Sequence, residues 1–180
     1  MSASLNRQRA TDYIPSIAYY YLTPSYFYLK AEFETPFRID DINQLADLGT
    51  VCGINGFNYQ NFGWRKETPI SEIRTLQHLP EMLLKRRCKF FLARKEILAG
   101  TLALAQVGEL PKTLTSQVSP NSGKEPFRML ISKRSKYKGM IAKEFNRKVQ
   151  EMQANHQLED LYQHHLQQLT HGGDKGSDSP

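Results

Sequence analysis

Cysteine and tryptophan are scarce in this chain, with two and one respectively in 180 residues. Two cysteines are too few for a disulfide framework, and neither Cys52 nor Cys88 has companions at metal-ligand spacing. Each lies in an apolar, strand-like run, so buried structural thiols are expected, with a single Cys52–Cys88 bridge left open. Long hydrophobic runs are missing as well. Ile14 to Phe33 is broken by Pro15, Pro24 and Lys30, and Phe90 to Val107 by Arg94, Lys95 and Glu96, which excludes a helical membrane span and argues against direct membrane insertion. The opening MSASLNRQRA lacks the apolar stretch of a secretory signal, so a chain made as written is expected to stay in the cytoplasm. His156, His164, His165 and His171 have no accompanying Cys or carboxylate spacing, and neighbouring helical side chains diverge by about 100°, so no metal site is expected.

What is present is an ordinary globular composition, 39% hydrophobic and 23% charged, in a chain long enough for one good core or two small lobes. The net charge of +6 comes from 24 basic and 18 acidic residues. The basic residues are scattered over Lys85 to Lys95 and Arg128 to Lys148 without a nucleic-acid motif, which reads as a solvated face and not as a nucleic-acid surface.

The stretch around which the rest is organised is TVCGINGFNYQNFG, Thr50 to Gly63. It predicts a buried strand over Thr50–Ile54, a turn at Gly56 and a helix starting near Phe57, an arrangement that aims unpaired N–H groups and a positive dipole end at one spot. Upstream, two extended segments are predicted either side of Thr23-Pro24, then a short helix capped by Asp40 and ended by Gly49. Downstream come an edge strand over Ile70–Leu76, a helix over Leu79–Arg87, a strand over Cys88–Leu92 and a helix over Arg94–Gln106. Strand and helix alternating at this length predict an α/β fold with a mostly parallel sheet and crossover helices. Val107 to Glu125 reads as a surface loop, Phe127–Ser132 as a strand, and Ser135 as the cap of a long helix with an apolar stripe of Tyr137, Ile141, Phe145, Val149 and Met152. A shorter helix with Leu158, Leu161, Tyr162 and Leu169 and a disordered tail over 171–180 follow.

Four stretches in this order carry a resemblance: SLNRQRATDYIPSIAYY; YLTPSYFYLKAEFETPFRIDDINQLADLGTVCGINGFNYQNFG; LPEMLLKRRCKFFLARKEILAG; and FRMLISKRSKYKGMIAKEFNRKVQEMQANHQLEDLYQHHL. Together they resemble the family 3 solute-binding proteins, the two-lobed periplasmic receptors of ABC importers for amino acids and similar small polar solutes. The resemblance implies a periplasmic-binding-protein-like fold, with residues 1–30 and 127–170 as a partial lobe one and 31–126 as lobe two. It also implies that the family's signal peptide and the bulk of its first lobe lie before this starting point, so the chain reads as truncated or as begun at a misplaced start codon.

Carried over residue by residue, the resemblance makes Arg9 the holder of a ligand carboxylate, with Ser4 as a hydroxyl donor beside it. It makes Phe57, Asn58 and Tyr59 the ligand-facing residues of lobe two, Asn58 by hydrogen bonding and the aromatics by stacking or by packing under the loop. Two departures stand out. The family's G-R-x-D corner appears as Arg86-Arg87-Cys88-Lys89, and Arg94 falls where the family places an acid against the ligand ammonium. A cation there repels an ammonium, so a dicarboxylate, another anion or no ligand at all fits better than a standard α-amino acid. The implied function is non-enzymatic binding of a small polar or anionic solute, delivered to an ABC permease in the periplasm, with no cofactor. The alternatives are a remnant, a sensory or interaction lobe without a small ligand, and a dehydratase-like enzyme on the same scaffold.

Overall fold

The structure, a computed structural model, describes residues 2–33, 37–104 and 113–161. In chain order it runs β1 (Ser2–Ser4), α1 (Arg7–Asp12), β2 (Tyr13–Leu22), β3 (Pro24–Leu29), α2 (Leu45–Leu48), β4 (Val51–Ile54), β5 (Ser71–Ile73), α3 (Leu79–Leu84), β6 (Phe90–Arg94), α4 (Lys95–Leu104), β7 (Leu114–Val118), β8 (Glu125–Ser132) and α5 (Lys138–Ala154). The chain divides into two units, residues 22–125 and residues 1–21 with 126–180.

The unit of residues 22–125 is built on a five-stranded sheet in the order β5-β4-β6-β3-β7. Strands β5, β4 and β6 run parallel, whereas β3 is antiparallel to both β6 and β7. The sheet is therefore mixed, which extends the expectation of a mostly parallel one. Alternate residues of the central strands enter two separate cores: Phe27, Cys52, Ile54, Phe91 and Ala93 pack under α3 and α4, while Tyr26, Tyr28, Val51, Phe90 and Leu92 pack under Ile42, Leu45, Phe62 and Trp64. Both faces being covered is why VCGI and FFLA are apolar throughout and do not alternate.

In the other unit, β1, β8 and β2 form a three-stranded sheet in that order, with β1 antiparallel to β8. Strand β2 is an edge, where Pro15 costs no ladder bond. Helix α5 covers that edge: Asn146 Oδ1 accepts from the Ile17 N–H at 2.9 Å, and Phe145 meets the Tyr19 ring edge-on at 5.4 Å.

Several expectations are corrected. Cys52 and Cys88 form a disulfide, Cα to Cα 5.8 Å, and so are not buried free thiols. No helix begins at Phe57; the chain stays irregular until a single 3-10 turn at Gln60–Phe62. The strand expected over Cys88–Leu92 is β6, two residues later, so Arg94 ends a strand and does not start a helix. Asp41, and not Asp40, caps the turn before α2, with its side chain accepting from the Asn43 N–H at 2.9 Å. The expected 107–125 loop contains β7, whose polar sequence LTSQV becomes a strand because it pairs with β3 and because Gln117 is held between the hydroxyls of Tyr26 and Tyr28, at 2.6 and 2.8 Å. In the expected stripe of α5 only Val149 is buried; Tyr137 precedes the helix and is half exposed. The expectations for Tyr162, His164, His165, Leu169 and His171 and for the tail over 171–180 lie outside the described residues.

Candidate functional site

Strands β4 and β6 are parallel, so their carboxyl ends meet on one side of the sheet, where loops gather in open α/β folds. After Ile54 the chain reverses through Asn55 and Gly56, closed by the Phe57 N–H on the Ile54 carbonyl at 3.1 Å. Gly56 has φ +78°, a conformation open to glycine at no steric cost, which explains its place in the motif. The Oδ1 of Asn58 accepts from the Gln60 N–H at 3.2 Å, a local turn that sets the orientation of its amide. The other end of that amide, Nδ2, is buried and has no hydrogen-bond partner. A buried donor left in this way costs about 1–3 kcal/mol.

Tyr59 turns away from this spot. Its hydroxyl accepts from the Ile54 N–H and lies over Gly53, where there is no Cβ to obstruct it. Burial holds that hydroxyl well above the usual tyrosine pKa. It is a strap on the back of β4.

Arg94, the last residue of β6, is 4% exposed and forms a two-pronged ion pair with Glu125, the first residue of β8; Nη2 lies 2.9 Å from Oε1, and Nε bonds Oε2. Glu125 Oε1 also accepts from Asn61 Nδ2. The guanidinium lies between the rings of Phe57 and Phe62, 5.6 and 5.2 Å from their centroids, and Nη2 faces the Asn58 carbonyl at 3.5 Å. The bare cation inferred from the sequence is therefore compensated, and Arg94 does not repel an ammonium group as an isolated charge would.

In the other unit, Arg9 and Ser4 come together. Asn6 caps α1 by accepting from the Arg9 N–H at 2.8 Å, which presents the Arg9 side chain to the Ser4 carbonyl at 2.8 Å and to its hydroxyl at 3.5 Å.

No family model and no curated protein matches this chain. Solved structures do. An amino acid ABC transporter substrate-binding protein from Streptococcus pneumoniae, bound to L-arginine, superposes with a TM-score of 0.67 at 13% identity, over 88% of this chain and 63% of that one. The fold is that of the solute-binding proteins. An ancestral arginine-binding protein bound to arginine gives a TM-score of 0.65 at 13% identity, over 89% of this chain and 67% of that one. A histidine kinase sensor domain with similarity to periplasmic binding proteins gives 0.66 at 10% identity, over 89% and 66%. This chain thus spans about two thirds of the length of the solute-binding-fold proteins it resembles.

Within this solute-binding fold, Phe57, Asn58 and Arg94 are brought together with three residues that sequence reading missed, namely Asn61, Phe62 and Glu125. Glu125 had one available signal: an arginine in an apolar strand demands an acid, but nothing in the sequence says which of 18 acidic residues answers it. Among the described residues no cluster of His, Cys, Asp or Glu is arranged to hold a metal, and no helix is long and apolar enough to cross a membrane.

Proposed function

We propose that this chain binds a small polar solute without transforming it, as a receptor component of an ABC importer. The observation that carries the reading is the unpartnered Asn58 amide, buried at the carboxyl ends of β4 and β6 beside the Arg94–Glu125 pair, on a solute-binding fold. A carbonyl or carboxylate oxygen of a solute would satisfy that donor. Phe57 would supply an apolar wall, and Arg9 with Ser4 the carboxylate-holding group. This reading implies capture by closure of two lobes. Because Glu125 cancels the charge of Arg94, the candidate solutes include zwitterionic amino acids as well as dicarboxylates. The Cys52–Cys88 disulfide supports an oxidising compartment, the periplasm in this reading.

Catalysis is disfavoured at this spot. A general acid or base needs a free proton position, and both carboxylate oxygens of Glu125 are engaged by Arg94, one of them also by Asn61. The likeness to a sensor domain favours a second reading, in which the same capture signals to a partner protein and does not feed a permease.

The test is thermal melting against a panel of basic, acidic and neutral amino acids and of dicarboxylates. A solute present at a hundred times its Kd adds about 2.7 kcal/mol to stability, a clear rise in Tm. Asn58→Ala is expected to abolish the rise. A folded protein whose Tm no solute moves overturns the binding reading.

A further inference from the structure

The amino ends of β4 and β6 carry a second feature, on the opposite side of the sheet from Asn58 and Arg94. An open pocket of about 480 Å³ lies there, lined among others by Glu32, Gly49, Thr50, Arg86 and Lys89. We propose that this pocket binds a phosphate-type oxyanion, with Arg86 and Lys89 as its two cationic arms.

The Lys89 side chain and the Arg86 backbone are held in place before any ligand arrives. The stem of Lys89 lies against the backbone of Gly49, so closely that a Cβ on Gly49 would sit 2.7 Å from Lys89 Cδ, and its ammonium stands 5.3 Å from the centre of the Phe33 ring. Arg86 follows α3 with φ +54°, a left-handed conformation that glycine adopts without steric cost and arginine does not. The turn enforces it, with the N–H groups of Arg87 and Cys88 returning to the Met82 carbonyl at 2.9 and 3.2 Å. The turn needs a left-handed residue at this place but not an arginine, since glycine would close it without the steric cost. Neither Arg86 nor Lys89 has a carboxylate partner among the described residues. Among the described lining residues two cations face one acid, Glu32, and a guanidinium fork with an ammonium and the Thr50 hydroxyl matches an anion that accepts through several oxygens. The chemistry is shared by free phosphate and by a phosphorylated lipid headgroup.

The experiment is calorimetric titration of inorganic phosphate into the protein, at ionic strength matched with chloride, for the native chain, Arg86→Gly and Lys89→Met. Native protein is expected to bind, and each variant to bind about tenfold more weakly or worse. Arg86→Gly is also expected to melt at a higher temperature in phosphate-free buffer, because glycine relieves the left-handed backbone; this shows that its loss of binding is not loss of folding. In parallel, retention on phosphatidylglycerol vesicles that Arg86→Gly abolishes identifies a headgroup as the source, and phosphate binding without vesicle retention identifies a soluble phosphate. Absence of both, or variants that bind as the native chain does, overturns the proposal.

Discussion

Arg94 and Glu125 are tolerated in the interior because each answers the charge of the other through two hydrogen bonds. Glu125→Gln leaves a buried cation with a neutral partner, and a loss of about 3–5 kcal/mol is expected in urea unfolding. Replacing both residues by apolar ones of similar volume is expected to be close to neutral, since it removes the desolvation cost with the attraction. Two buried tyrosines set the alkaline limit. Burial first, and then the neighbouring Tyr28, push the hydroxyl pKa of Tyr26 up to about 12, and burial moves Tyr59 in the same direction. Unfolded tyrosine ionises near pH 10, roughly two units earlier, so the unfolded chain releases protons that the native chain keeps. Stability is therefore full below pH 10 and falls as pH rises from 10 towards 12, and Tyr26→Phe is expected to flatten that part of a urea-midpoint profile. At this scale the sequence disclosed candidates without their partners. Asn58 lay in the Thr50–Gly63 motif and Arg94 was singled out through the family resemblance, whereas Glu125, 31 residues beyond Arg94, carried no local sign of its role.

At the scale of elements, β4 with the turn behind it is the piece most sensitive to a single atom. A methyl group on Gly53 would lie 2.7 Å from Ile70 Cδ1 and as close to the Tyr59 ring, so Gly53→Ala is expected to cost about 1–3 kcal/mol in denaturant, the usual range for an overfilled core. The strands β4 and β6 were legible because burial on both faces writes them as continuous apolar runs. Strand β7 was not, because its backbone pairs with β3 and its Gln117 bonds the tyrosines of β3, a partner more than 80 residues away in sequence. The helix expected at Phe57 failed for a related reason. Tyr59 is drawn back over Gly53 to bond Ile54, which takes the backbone out of the helical path that the strand-turn-helix pattern suggested.

For the whole molecule, the disulfide joins the entry of β6 to the middle of β4 and closes a loop of 36 residues that contains the Asn58 turn and α3. In the chain-entropy picture a loop of that size is worth roughly 4 kcal/mol, so Cys52→Ala with Cys88→Ala is expected to lower stability by about that amount. Thiol titration of the denatured native protein is expected to find none before reduction and two after it. What the sequence determined by itself was the class of fold, the central strands, the Gly56 turn and the order of parts, because these follow from local periodicity and from backbone conformations that only certain residues adopt. What only the tertiary structure decided was the pairing of Cys52 with Cys88, the cancellation of Arg94 by Glu125, the strand character of β7 and the unmet amide of Asn58. Each of these depends on which distant group arrives within hydrogen-bonding or bonding reach once two layers close over the sheet, and spacing along the chain does not encode that distance.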